Sequence, residues 1–425
     1  MAGAGVLGFD EAVEVVRARA VEAGLRVGAG AGEARMEVVA LLEARGRVLA
    51  EAITAERDQP PFARATRDGF AVRAGDLVAA GGDGLRVVGE VRAGERWLGA
   101  RLGVGEAVGI MTGAPMPEAA DAVVMVEHAA EGEGRVRVEE GRRWVAGENV
   151  VPRGAEARAG EAVLAAGTVM EAAEIALAAS SGRAVLPVYA RTMVAIVATG
   201  DELVELHAAP EDWQIRNSNG YGLAALVAGA GGWPGRLERA RDLREEVRER
   251  VAQGRRWDVL LFSGGVSMGK YDLVEEVLAE FGAEFFFTGV RMQPGKPVVF
   301  GRLPAREGDG GGPECLFFGL PGNPVSTEVT FHCFVRPLLR VLAGGAWEGP
   351  RFAQATLTEE VGGKAGLMRM LPARLTSRRV GPEVRLVGWK GSGDLAANAR
   401  ANCYAVLPGD VDGFRAGEVI SVLLR

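Results

Sequence analysis

From Pro187 onward the chain repeats one pattern: an apolar run of strand length, a polar loop containing glycine, and then helical periodicity. The runs cover 192–198, 257–262 and 316–318, and helices are expected at about 219–229, 242–252, 271–281 and 324–342. Strands without polar alternation must be buried on both faces. The pattern therefore predicts a parallel sheet covered by helices on either side and joined by right-handed crossovers. In such sheets ligands sit at the C-terminal ends of the strands, where several loops converge.

The rest of the chain reads differently. Phe9, Ala12, Val13, Val16 and Ala20 recur at helical spacing, and Val38, Leu41, Leu42, Val48 and Leu49 predict a second helix packed with the first. Between 62 and 151 short Val-rich runs at 86–91, 123–127 and 135–138, punctuated by Gly and Pro, indicate an all-β module. Helical character returns over 155–183, with Ala172, Ile175, Ala176 and Ala179 on one face, so the β module is inserted into a helical domain. After Gly345 helical signals vanish, and 384–389 and 404–407 predict a small barrel or sandwich. The expected division is 1–57 plus 154–186 (split helical domain), 58–153 (inserted β domain), 187–343 (α/β domain) and 344–425 (C-terminal β domain). A chain of 425 residues is long enough for several domains of this size.

Composition narrows the partners. With 49 Lys+Arg against 56 Asp+Glu the net charge is −7, and no basic tract with interleaved aromatics is present, which disfavours nucleic acid. No apolar stretch reaches the roughly 18 residues of a membrane span. The first twenty residues form an amphipathic pattern with Asp10, Glu11, Glu14, Arg17 and Arg19, unlike a signal peptide, and a cytoplasmic location is expected. Cys315, Cys333 and Cys403 show no C-x-x-C spacing and sit in apolar surroundings, so buried free thiols are expected. Only His128, His207 and His332 are present, which gives a Cys/His zinc site little support.

Four loops meet the description of a ligand edge: Thr199-Gly200-Asp201-Glu202, Ser263-Gly264-Gly265-Val266-Ser267-Met268-Gly269, Gln293-Pro294-Gly295-Lys296-Pro297 and Gly319-Leu320-Pro321-Gly322-Asn323-Pro324. Their glycines let backbone N–H groups approach an anion, and the serines add donors. Any one of them is equally readable as a plain strand-to-helix turn; four on one edge favour a ligand. Gly264 to Lys270 matches the G-x-x-x-x-G-K part of a P-loop, but Tyr271 follows where a metal-binding Ser or Thr would stand. Asp201, Glu202 and Asp272 flank the same edge and could hold a hard cation through oxygen ligands, or else cap helices. Lys296, in a rigid turn between Gly295 and Pro297, is either an oxyanion clamp or an exposed turn lysine.

The order and spacing of several segments resemble the molybdopterin molybdenumtransferases, the MoeA family that includes the C-terminal domain of gephyrin. The markers are Pro60-Pro61-Phe62, Arg67-Asp68-Gly69-Phe70-Ala71-Val72, Met111-Thr112-Gly113-Ala114-Pro115, Ala122-Val123-Val124-Met125, Thr199-Gly200-Asp201-Glu202-Leu203, Ser263-Gly264-Gly265-Val266-Ser267, Pro294-Gly295-Lys296-Pro297 and Pro321-Gly322-Asn323-Pro324. They span nearly the whole chain. The resemblance implies a multidomain α/β fold: a split helical domain, an inserted β domain, a parallel-sheet molybdopterin-binding domain and a C-terminal β barrel.

It also implies an activity. Such enzymes act in molybdenum cofactor biosynthesis, taking adenylylated molybdopterin and molybdate as substrates, inserting molybdenum at the dithiolene and releasing AMP with help from Mg²⁺. Carried over by motif, Asp68, Thr112, Glu202, Asp242, Asp272 and Lys296 are the expected catalytic residues, with Glu202 and Asp272 on the metal. The substrate-binding residues are expected to be Ser263, Gly264, Gly265, Ser267, Pro294, Gly295, Pro321, Gly322, Asn323, Arg369 and Ser392. Asp242 is also readable as a helix N-cap. Asp68 and Thr112 lie in the β module, so they serve the sheet edge only if that module, from a second subunit, covers it; a homodimer is expected. A molybdopterin adenylyltransferase and apo-molybdoenzymes are further expected partners.

Two departures stand out. Ala63-Arg64-Ala65-Thr66-Arg67 replaces the family's common acidic and Ser-Ala-Met run, adding positive charge, and Gln293 stands where many members carry Lys, removing some. A molybdopterin adenylyltransferase would need only the sheet domain, and a noncatalytic scaffold would have no use for polar groups converging in a cleft.

Overall fold

The computed structural model describes residues 5–28, 35–79, 83–139, 141–265, 273–305 and 314–425. Its centre is a six-stranded sheet in the order Trp233–Arg236, Met193–Ala198, Val259–Ser263, Cys315–Leu320, Val299–Leu303, Glu284–Phe287. The first four strands are parallel, as the strand–loop–helix pattern requires. Val299–Leu303 runs antiparallel to Cys315–Leu320, so the sheet is mixed at that side. One consequence corrects the placing of a loop: Gln293 to Pro297 reaches the common edge from the N-terminal end of an antiparallel strand, not from the C-terminal end of a parallel one.

Alternate residues of each strand feed two cores. Val194, Ile196, Val259 and Leu261 face helices Ser218–Gly229 and Pro324–Thr330, while Ala195, Val197, Leu260 and Phe262 face helices Arg244–Gly254 and Leu273–Glu280. All of these strand residues are at most 1% exposed, and this explains why the runs carry no polar alternation. Helix Pro324–Thr330 continues through a π-helical turn, Phe331–Val335, into Arg336–Leu342.

The N-terminal segment differs from expectation in its packing. The helix Phe9–Gly28 forms, but Phe9, Ala12, Val16 and Ala20 bury against the sheet domain, with Phe9 and Phe334 rings 5.9 Å apart. The expected second helix does not form. Met36–Ala40 is a strand paired with Val185–Tyr189, followed by a single 3₁₀ turn at Leu41–Ala44. Val38 and Leu41 fit helical spacing, but the available partner strand decides for a strand, which turns Val39 toward the core and leaves Met36 and Val38 exposed. Helix over 155–183 is likewise confined to Ala172–Ser180, whose N-cap Glu171 forms a reciprocal capping box with Glu174.

The β module holds a sheet in the order Ala122–Met125, Gly69–Val72, Glu106–Ile110, Leu85–Val91, Arg135–Val138, Ala129–Gly132. The chain enters and leaves it side by side, through Arg64–Ala65 paired with Val150–Val151. Strand Ile53–Thr54 pairs with Ala162–Leu164 just outside, which is the geometry of an insertion.

At the C-terminus Phe352–Leu357, Met368–Thr376, Glu383–Leu386, Cys403–Leu407 and Val419–Leu424 close into a five-stranded barrel. Met292–Gln293 of the sheet domain adds alongside Met368 and Arg369. The barrel also contains a helix, Leu395–Arg400, which the reading of the tail as free of helix missed; Asp394 caps it by accepting from the Ala397 amide at 2.9 Å. Met370, Tyr404, Val406 and Leu423 join the core of the sheet domain. Cys315, Cys333 and Cys403 are free and buried, and burial raises each thiol above its ordinary range. Among the described residues no helix is long and apolar enough to cross a membrane.

Candidate active site

Loops at one sheet edge enclose a cleft of about 930 Å³. Its wall contains Glu202, Asp242, Ser263, Gly264, Gly265, Pro321, Gly322 and Asn323 from the expected set. The loops interlock closely. Gly264 has φ +92°, and a Cβ there would strike the Thr199 carbonyl at 2.5 Å. A Cβ on Gly322 would sit 3.4 Å from the Gly264 Cα, so the second and fourth loops touch backbone to backbone. Gly264 is needed for this close approach.

Asn219 binds the loops together. Its Nδ2 donates to Ser263 Oγ at 2.8 Å and to the Gly322 carbonyl at 2.6 Å. Sequence reasoning missed it, although the polar run Arg216-Asn217-Ser218-Asn219 at the start of a helix was a usable signal. Asn217 caps that helix through the Gly220 amide at 2.9 Å, leaving Asn219 one position inside the first turn and facing the cleft. Thr199 Oγ1 is buried in the cleft wall and has no hydrogen-bond partner among the described residues. An orphaned hydroxyl at such a place is a ready ligand contact.

The charges are unexpected for a site meant to take an anion. Among the described lining residues Arg216 is the single cation, against Glu202, Asp242 and Glu276. Glu276 is paired with Arg244 at 3.1 Å. Asp242 is not the helix cap: helix Arg244–Gly254 starts after Leu243. Burial, followed by the charge of neighbouring Asp201, raises the Asp242 carboxyl above its usual range. Asp201 itself accepts from the Asp242 amide at 3.2 Å.

Other expected residues lie elsewhere. Pro294 and Gly295 are buried beneath the turn, Lys296 is exposed on it, and of that loop Pro297 alone lines the cleft. Arg369 does not line it either; it donates to the Gly362 carbonyl at 2.8 Å, while its Nε is buried without a partner among the described residues. Ser392 stands at the rim, accepting from Asn323 Nδ2 at 3.0 Å, with Gly393 and Leu395 in the wall beside it. Ser267 and Asp272, with the rest of the P-loop-like stretch from Val266, lie outside the described residues.

Asp68 and Thr112 form a separate constellation. Asp68 precedes strand Gly69–Val72 and Thr112 follows Glu106–Ile110; the antiparallel pairing of Gly69 with Ile110 brings them together. The Thr112 amide and hydroxyl both donate to Asp68 Oδ1. Neither residue lines the cleft. The extra positive charge expected beside them is partly spent, because Arg64 pairs with Glu156 at 3.0 Å.

Three family descriptions match consecutive parts of the chain: the MoeA N-terminal region (domains I and II) over 7–182, a probable molybdopterin binding domain over 195–341, and the MoeA C-terminal region (domain IV) over 354–424. The chain belongs to the MoeA family. Curated MoeA relatives named molybdopterin molybdenumtransferase are 33% identical over 391 residues in Staphylococcus aureus strain COL (91% of this chain, 90% of the relative) and 33% identical over 397 residues in Bacillus subtilis strain 168 (91% and 89%). A solved MoeA structure from Pyrococcus horikoshii OT3 superposes with a TM-score of 0.74 at 26% identity, covering 99% of this chain and 100% of that one.

In this MoeA-family chain the cleft offers a hard cation only oxygen ligands. No group of three or more His, Cys, Asp or Glu among the described residues could by itself hold a metal ion. Mg²⁺ does not need such a cage, since it keeps several waters and binds through one or two carboxylates plus substrate phosphates. Glu202 and Asp242 fit that requirement.

Proposed function

We propose that this chain inserts molybdenum from molybdate into adenylylated molybdopterin and releases AMP, completing molybdenum cofactor in the cytoplasm. The observation that carries the reading is the cleft itself, where three glycine loops of a MoeA-family sheet domain interlock around buried Thr199 Oγ1, which has no hydrogen-bond partner among the described residues. Backbone amides at the strand ends would hold the phosphates, on loops that Asn219 ties together. Glu202 and Asp242 would hold Mg²⁺, which supplies positive charge to the phosphoanhydride that is broken between AMP and the pterin phosphate. A divalent cation answers the electrostatic problem of the site, because a polyanion facing Glu202 and Asp242, which have no salt-bridge partner among the described residues, would otherwise be repelled.

The second element of the proposal is a homodimer. Asp68 and Thr112 converge in the β module but do not line the cleft of their own chain, so a two-fold partner would present its β module over the cleft. Exchange of the pterin with a molybdopterin adenylyltransferase and with apo-molybdoenzymes belongs to the same reading.

The test is incubation of purified protein with adenylylated molybdopterin, molybdate and Mg²⁺, following AMP and protein-bound molybdenum cofactor. AMP release should require both molybdate and the cation. Rapid hydrolysis of ATP would instead support the P-loop reading of Gly264 to Lys270.

A further inference from the structure

Two helices of different domains start at the cleft and are tied together twice. Pro324–Thr330 begins there with Asn323 and Pro324 in the wall, and Leu395–Arg400 of the barrel domain begins with Gly393 and Leu395. At the cleft end, Asn323 Nδ2 donates to Ser392 Oγ and the Val325 amide to the Ser392 carbonyl, each at 3.0 Å. One turn away, Glu328 makes the second tie. Its Oε2 accepts from Asn398 Nδ2 at 2.6 Å and its Oε1 from Arg425 Nε at 2.5 Å. Arg425 Nη1 in turn donates to the carbonyls of Asn398 and Ala401, at 2.8 and 2.6 Å, at the far end of the barrel helix. Asn398 Oδ1 accepts from the hydroxyl of fully buried Tyr404 at 2.8 Å.

Glu328 is largely buried, with a side chain 13% exposed, and neither it nor Arg425 lines the cleft. A buried ion pair contributes little net stability over an apolar pair of the same shape, but it admits few alternative geometries. Here the geometry it restricts is that of a substrate wall built across a domain boundary. We propose that Glu328 and Arg425 are positioning residues: they hold barrel residues 392–395 against Asn323, so that this wall of the cleft is assembled before substrate arrives. The proposal rests on the reading of the cleft given above.

The test compares full-length wild type with Glu328→Gln, Arg425→Met, the double variant and Arg425→Lys. In the free proteins, hydrogen exchange at the amides of 392–395 should quicken in the first three while the barrel strands stay protected. KM for adenylylated molybdopterin should rise about ten- to a hundredfold, the scale of a small misplacement of a substrate-holding group, with a smaller change in kcat. The double variant should be no worse than Arg425→Met, and Arg425→Lys should regain part of the loss. Unchanged exchange at 392–395 overturns the proposal whatever the activity. So does a lowered melting temperature with wild-type KM in the folded protein, which marks a purely structural network. Failure of wild type to release AMP overturns the reading of the cleft alone, since the exchange measurement still decides the positioning role.

Discussion

Thr112 gives both its backbone amide and its hydroxyl to the same carboxylate oxygen of Asp68, at 2.6 and 2.8 Å. The pair joins the ends of two neighbouring antiparallel strands, so it is as fixed as the sheet that carries it. Two donors on one oxygen favour the ionised carboxyl and orient it, leaving the other oxygen open.

Asp68 should therefore titrate below the ordinary aspartate range, through the Thr112 amide first and its hydroxyl second. Thr112→Val, which removes only the hydroxyl, should move the titration part of the way back, as read from the carboxyl carbon by NMR. Because the folded value is depressed, the stabilisation it brings is present above the unfolded value and disappears as pH falls through the folded one.

Asp242 should behave in the opposite sense. Burial and the Asp201 charge raise its carboxyl in the metal-free chain, so as pH falls Mg²⁺ binding should begin to weaken above the ordinary aspartate range, along an acid limb set by competition of protons with the cation for Asp242. Asp201→Asn removes the second of these causes and should shift that limb to lower pH. Asp242→Asn should raise the Mg²⁺ concentration for half-maximal release by about tenfold, the size of one charge-assisted contact.

Thr199→Val should separate binding from stability. The hydroxyl is buried without a partner among the described residues, so an isosteric methyl should leave the melting temperature unchanged or slightly higher. Affinity for adenylylated molybdopterin, measured by titration, should fall about tenfold, the worth of one hydrogen bond to a charged group.

A shared site predicts complementation. Asp68→Asn and Asp242→Asn, each impaired alone, should together form mixed dimers in which one site carries both lesions and the other none. Isolated mixed dimers should show about half of wild-type activity, a fraction set by the two-fold symmetry. Inactive mixed dimers from chains that still dimerise would require the site to be built within one subunit.

Local chemistry alone determined much of the central domain. The short apolar runs 193–198 and 259–262, each closed by a glycine loop and followed by a helical pattern, read as strands buried on both faces, and glycines at 264, 265 and 322 marked the loops that interlock. The motif order from Pro60 to Pro324 likewise identified the family. Tertiary structure decided what local pattern leaves ambiguous. Val38 and Leu41 fit helical spacing, yet pairing with Val185–Tyr189 makes a strand of Met36–Ala40, because backbone groups take whichever partner completes their hydrogen bonds. Asn219, Glu328 and Arg425 carry no motif of their own, and they matter because folding brings residues 103, 70 and 97 positions apart into hydrogen-bond contact. That Asp68 and Thr112 do not line the cleft is equally a property of the assembled domains, since it depends on how the elements between them pack.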